Sequence, residues 1–226
     1  MSAFASRLGL AALFAPALLA VSVTAQAHQA GDIIVRAGAI TVDPNEDSSN
    51  VSAAGVPVAG TGATLNSDTQ LGLNFAYMLN DNFAVELLAA TPFEHDIGTR
   101  GLGGLELGST KQLPPTLSML YYPMDKNSAF QPYAGLGLNF TWFFDNKLTS
   151  EAENAGFSGL DLKDSWGWAA QVGADYMLTD KVMLNAQVRY IDIETTGTTD
   201  HNVLGRVKVD VDVDPFVYMV GLGYKF

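Results

Sequence analysis

Cysteine is absent from the 226 residues, which excludes disulfides, thiol nucleophiles and thiolate metal sites. Basic residues are scarce: 12 Lys and Arg stand against 24 Asp and Glu, a formal net charge of -12. That balance argues against nucleic acid as a partner. After residue 27 no apolar run is long enough for a helix to cross a bilayer, which takes about 20 residues. No linker, low-complexity tract or helical repeat divides the rest.

The single long apolar run lies at the start. In "MSAFASRLGLAALFAPALLAVSVTAQAHQ", Arg7 precedes an apolar stretch from Leu8 to Val23, followed by Ala25-Gln26-Ala27. This is the pattern of a secretory signal peptide cleaved after Ala27, and the run is short for a spanning helix. The expectation is a signal peptide over 1–27 and one domain over 28–226.

What the chain does have is alternation. Side chains on a strand point to opposite faces in turn, and eight segments show one apolar phase and one small or polar phase. They run at about 32–42, 69–78, 83–89, 113–122, 133–142, 166–176, 182–190 and 216–226. In the fifth, Ala134, Leu136, Leu138, Phe140 and Trp142 alternate with Tyr133, Gly135, Gly137, Asn139 and Thr141. Tight turns follow the second, fourth and sixth segments, at "LNDN", "PMDKNS" and "LTDK". Long connections follow the others, at roughly 43–68, 94–111, 145–164 and 195–207. "KVDVDVDP" at 208–215 slips phase at Pro215, which predicts a bulge.

An even strand count with short turns on one side and long loops on the other is the signature of an eight-stranded antiparallel up-and-down transmembrane β-barrel. It predicts three short periplasmic turns and four long extracellular loops. The orientation follows from the polar phase, which is Gly, Asn, Gln, Ser and Thr with few charges. A water-facing surface carries more Lys and Glu, whereas small and amide side chains suit a narrow lumen. Aromatics gather near both ends of the apolar phase: Trp166 and Trp168 against Tyr176, and Phe216 and Tyr218 against Tyr224 and Phe226. These are two interfacial girdles, so the apolar phase faces lipid.

Eight strands leave an interior about filled by side chains. Arg36, Arg189 and Lys225 share it with Glu86 and Asp175, and an unpaired charge there costs several kcal/mol. Paired, the five form either a structural plug or a polar path for amino-acid-like solutes; a wide water pore is excluded. In the loops Phe143, Leu148, Phe157 and Leu160 either pack the loops together or line an apolar funnel. "SEAENA" at 150–155 predicts a short helix capped by Ser150, with Glu153 completing a capping box. Acidic residues crowd the loops, among them Asp43, Glu94, Asp96, Asp210, Asp212 and Asp214. They keep the loops solvated or bridge to lipopolysaccharide phosphates through divalent ions. Glu94-His95-Asp96 and Asp200-His201 would allow a rim dyad, but no nucleophile accompanies them, and the chain does not read as an enzyme.

The third strand ends "ATPF" and the fourth begins "QLPPT". Proline lacks a backbone N–H and is excluded from central strands, and a closed barrel has only central strands. Pro92, Pro114 and Pro115 therefore either open a lateral gate in the wall or end the strands above the bilayer.

Several stretches resemble the OmpW family of outer-membrane proteins: "HQAGDIIVRAGAITVDP" at 28–44, "ELLAATPFEHDI" at 86–97, "QLPPTLSMLYYP" at 112–123, "FQPYAGLGLNFTWFFD" at 130–145 and "VDPFVYMVGLGYKF" at 213–226. The resemblance implies a monomeric eight-stranded barrel in the bacterial outer membrane, among its lipids and lipopolysaccharide. It implies diffusion of small, mainly hydrophobic solutes and no cofactor. The terminal "YKF" resembles the signature read by the barrel-assembly machinery, which implies that Phe226 is an assembly signal. Two alternatives stay open: uptake of small neutral amino acids through a polar lumen, and a structural or adhesion barrel that transports nothing.

Overall fold

Alternation of apolar and small residues produces a sheet that closes on itself. The computed structural model describes residues 27–226; residues 1–26, which carry most of the expected signal peptide, lie outside the described residues. In chain order, β1 (Ile33–Asp43) is followed by short strands β2 (Asp47–Ser48), β3 (Ser52–Ala53), β4 (Val56–Pro57) and β5 (Gly62–Leu65). Next come β6 (Asp68–Met78), β7 (Phe83–Ala90), β8 (Phe93–Arg100), β9 (Glu106–Leu113) and β10 (Thr116–Tyr121). The long β11 (Phe130–Leu148) leads into the helix α1 (Ser150–Asn154) and β12 (Phe157–Leu162). The chain ends with β13 (Ser165–Met177), β14 (Val182–Ile191), β15 (Glu194–His201), β16 (Gly205–Asp212) and β17 (Phe216–Lys225).

Eight of these close the barrel in the order β1-β6-β7-β10-β11-β13-β14-β17, with β17 paired back to β1, all antiparallel. The orientation follows the expected phases. Arg36, Glu86, Asn139, Asp175 and Arg189 are buried inside, while Leu136, Leu138, Val172 and Val220 are exposed on the outer wall. Aromatic pairs form the girdles: Phe140 with Trp166 and Trp168 with Tyr190 at the extracellular edge, Phe83 with Tyr121 and Tyr224 with Phe226 at the periplasmic edge. Phe226 is 69% exposed on the lipid face, and its N–H donates to the Ile33 carbonyl at 2.9 Å.

The connections differ from expectation. Most of the four long loops is sheet: β8 and β9 form one hairpin, β15 and β16 another, and β11 runs for 19 residues. About 9–11 residues suffice to cross the bilayer, so β11 stands well clear of it. The reason for the difference is physical. Above the membrane the outward face meets water and carries no apolar phase, so the contrast that marks the wall strands vanishes. β8, for example, turns Phe93, His95 and Ile97 inward and Glu94 and Asp96 outward.

Three further differences are local. The fourth wall strand is not continuous but breaks between β9 and β10 at Pro114 and Pro115. The phase slip at Pro215 is a full break between β16 and β17, with Asp214 at φ 39°. The helix is capped by Thr149, not Ser150: the Thr149 hydroxyl accepts from the Ala152 N–H at 3.1 Å, which leaves Glu153 outside the capping box.

Gly38 and Gly221 lie opposite one another on β1 and β17, and a Cβ on Gly38 would run into the Val220 carbonyl and the Gly221 Cα. The two backbones approach because neither residue has a side chain. We expect Gly38→Val to cost about 1–3 kcal/mol by overpacking. Loss of the compact, fast-migrating band on unheated gels checks this; a wild-type band and unfolding midpoint would contradict it.

Candidate solute path and lumen plug

The lower lumen is closed by charge. Arg36 on β1 reaches across the barrel: Nε and Nη2 donate to Asp175 Oδ1 and Oδ2 at 2.9 and 2.6 Å, and Nη1 donates to Glu86 Oε2 at 2.9 Å. Nη2 also donates to the Tyr122 hydroxyl at 2.7 Å. Arg189 on β14 donates to Glu86 Oε1 at 2.7 Å and to Gln171 Oε1 at 2.6 Å. Two arginines thus meet two carboxylates in charge-assisted bonds, forked between Arg36 and Asp175, and all four are buried. These bonds offset much of the desolvation of the charges, and Arg189 Nη1 is buried without a partner among the described residues.

Lys225 stands apart from the four. At the end of β17 its Nζ donates to the Ala27 carbonyl at 2.7 Å and lies 3.5 Å from Asp32 Oδ2. His28 joins the network instead, with Nε2 2.9 Å from Asp175 Oδ2 and its ring edge-on to Tyr122 at 5.1 Å. His28 carries no pattern in the sequence that marks it for this role. Gln171 and Asn185 do: both lie on the inward phase, where charges need partners.

Above the plug the interior turns apolar. Ile40, Leu88, Phe93, Phe143, Ile191 and Met219 belong to one buried cluster, with Ala90, Leu65, Leu162 and Val209 packed against it. Higher still, the extracellular strands form two arms. One is β5-β8-β9 and the other is β12-β15-β16 with β2, β3 and β4. Between the arms lies an apolar cavity of about 70 Å³. Leu65, Ile97 and Leu107 line it from one side, and Phe157, Leu160, Leu162 and Val209 from the other. Phe143 lies beneath the cavity in the buried cluster, and Leu148 lies outside its lining.

The wall is interrupted beside this cluster. β7 pairs with β10 as far as Leu88↔Thr116, and pairing resumes between β8 and β9 at Phe93↔Gln112. Between these points no strand ladder joins 89–92 to 113–115. A pocket of about 280 Å³, open to its surroundings, occupies the break and is lined by Leu88, Ala89, Ala90, Leu113, Pro114, Pro115, Phe140 and Trp142. In an intact sheet consecutive residues face opposite sides. The pocket is lined by Leu88 of the inward phase and by Phe140 and Trp142 of the outward phase. Pro114 is buried and Pro115 exposed at this break, while Pro92 is exposed and outside the lining.

His95 sits at the upper edge of the break, 2% exposed. Its Nδ1 donates to the Asn66 carbonyl at 2.6 Å, and its Nε2 accepts from Gln112 Nε2 at 2.8 Å. Both ring nitrogens are used by the neutral form, and the neighbouring carboxylates bond elsewhere: Asp96 Oδ2 accepts from Asn66 Nδ2 at 3.2 Å. His201 bonds the Ala155 carbonyl at 3.1 Å. Among the described residues, neither histidine forms a dyad with its sequence neighbours.

Residues 29–226 match the profile of the OmpW family. The chain is similar to outer membrane protein W of Vibrio cholerae, 50% identical over 88% of this chain and 91% of that protein. It is similar to outer membrane protein AlkL of Ectopseudomonas oleovorans, 30% identical over 88% of this chain and 84% of the relative. The crystal structure of the outer membrane protein OprG from Pseudomonas aeruginosa superimposes with a TM-score of 0.87 at 52% identity, covering 89% of this chain and 98% of that one.

Burial holds the His95 imidazole below the ordinary histidine range, with the Asn66 bond, Asp68 and Asp96 opposing it. The unfolded chain therefore binds the proton first. His95 supports the fold fully above about pH 6.5, the unfolded value, and that support falls as pH drops toward the lower folded value. We expect amide exchange over 93–97, corrected for intrinsic rate, to accelerate between about pH 7.5 and pH 5.5. A His95→Gln variant should show a smaller acceleration; equal acceleration in both proteins would contradict the assignment.

Proposed function

The chain belongs to the OmpW family of outer-membrane proteins, and from that premise we propose that it is a channel for small hydrophobic solutes, which enter between the extracellular arms and leave sideways through the barrel wall. The observation that carries this proposal is the break between Leu88↔Thr116 and Phe93↔Gln112, with a pocket lined by residues of both wall faces. The interior supports the same route. Ala63, Leu65, Leu162, Val209 and Val211 belong both to the cavity between the arms and to the apolar cluster or its packing shell, and Leu88 and Ala90 belong both to that cluster or shell and to the wall pocket. A solute would pass from one apolar surface to the next without meeting the charges below.

The floor supports it by contrast. Arg36, Glu86, Asp175 and Arg189 bond across the lumen, and displacing any one would strand a buried charge at about 3–5 kcal/mol. An apolar solute offers those groups nothing in exchange. The partners that follow are outer-membrane lipids around the apolar belt, lipopolysaccharide at the extracellular edge and the assembly machinery at Phe226.

The test is uptake into liposomes of a short alkane and a one-ring aromatic, compared with glycine and alanine. Restoring two backbone donors with a Pro114→Ala, Pro115→Ala double variant should help reseal the wall. Flux of the apolar pair should fall about fivefold or more, the population change that about 1 kcal/mol produces, with normal folding on gels. Wild-type apolar flux in that variant, or faster uptake of the amino acids by the native protein, would overturn the proposal.

A further inference from the structure

A break in a barrel wall is costly, because lipid supplies no hydrogen bonds to exposed backbone. The Pro114 carbonyl lies at this break, the Pro115 carbonyl points to β11, and the prolines contribute no N–H to either neighbouring strand. Yet neither carbonyl is bare. The Pro115 oxygen accepts from the Phe140 N–H at 3.1 Å and from Asn139 Nδ2 at 3.2 Å. The Pro114 oxygen accepts from the Thr116 hydroxyl at 3.1 Å.

The donors are themselves linked. Asn139 Nδ2 lies 3.0 Å from Thr116 Oγ1, and the Thr141 hydroxyl donates to Asn139 Oδ1 at 2.8 Å. Thr141, Asn139 and Thr116 thus form a continuous chain of side-chain bonds ending on the two proline carbonyls. All three are fully buried on the inner face, at 0% exposure. This short polar run lies beside a mainly apolar cluster that includes Leu88, Phe143 and Ala169. An apolar core gains nothing from a lone amide and two hydroxyls unless they satisfy something else. What they satisfy is the backbone at the break.

We propose that Thr116, Asn139 and Thr141 are positioning residues of the lateral exit: their bond chain ends on the Pro114 carbonyl at the break and holds the Pro114–Pro115 lip in its open geometry within the hydrocarbon. This rests on the lateral route proposed above. The three residues do not recognise the solute. They set the population of barrels whose wall is open, by removing the cost of exposed carbonyls from the open form.

Thr116→Val keeps the shape of the side chain and deletes its donor; Thr116→Ser keeps the donor. Flux is measured per folded barrel, counted from the fast-migrating band of unheated samples, so a merely structural role leaves it unchanged. In Thr116→Val, apolar flux should fall about fivefold, the effect of losing about one net hydrogen bond. The Phe140 amide should exchange faster, and Thr116→Ser should restore both readings. Should Thr116→Val not fold, Thr141→Val reads the same chain one link away, by releasing Asn139 Oδ1, with the same expected fall. Native flux per folded barrel in these valine variants overturns the inference. If the Pro114→Ala, Pro115→Ala double variant still loses flux, only the positioning role has failed; if that variant too transports normally, the lateral route has failed with it.

Discussion

Backbone N–H and C=O groups placed in hydrocarbon must bond to protein, because lipid offers them no partner. That constraint decides the architecture. It forces the eight wall strands into a closed antiparallel ring with no free edge. It makes Gly38 and Gly221 abut, so that β1 and β17 can seal the ring where the chain's two ends meet. It also makes the break between β7 and β10 stand out, beside Pro114 and Pro115, which have no backbone N–H.

A second balance shapes the interior. The narrow lumen admits charges only if each is bonded, and Arg36 bridges Asp175 and Glu86 while Arg189 shares Glu86. Apolar side chains flank this network on both sides, Ile34, Met78, Leu120 and Met183 toward the periplasmic end and Ile40, Leu88 and Phe143 above it. A solute arriving from outside therefore meets apolar surface first and an ionic floor afterwards. The break in the wall lies on the apolar side of that boundary, with Leu88 in both the cluster and the opening.

The wall was legible in the sequence because lipid imposes a strong contrast. Leu136, Leu138 and Trp142 on one phase and Gly135, Gly137 and Asn139 on the other can be read without coordinates. The same contrast assigned Arg36, Glu86, Asp175 and Arg189 to the lumen, where they are found. It failed above the membrane, where water removes the apolar outer phase, and so β8, β9, β12 and β15 read as loop. Partners brought together by closure were also invisible. His28 reaches Asp175 across 147 residues, and Lys225 turns to Ala27 and Asp32 at the floor. Pro114 and Pro115 were conspicuous as strand breakers, but where pairing stops and resumes around them depends on registers only the folded barrel reveals.

The central claim is that apolar solutes leave through this break, and the absence of cysteine permits a direct measurement. An Ala89→Cys variant places the molecule's single thiol on the pocket lining; Val172→Cys places it on the lipid face of β13. Each is reconstituted, labelled to completion with a bulky thiol reagent, and assayed for alkane uptake per folded barrel before and after labelling. The account predicts that labelling at 89 abolishes most of the uptake and labelling at 172 leaves it intact. Undiminished uptake after complete labelling at 89 would contradict the lateral exit.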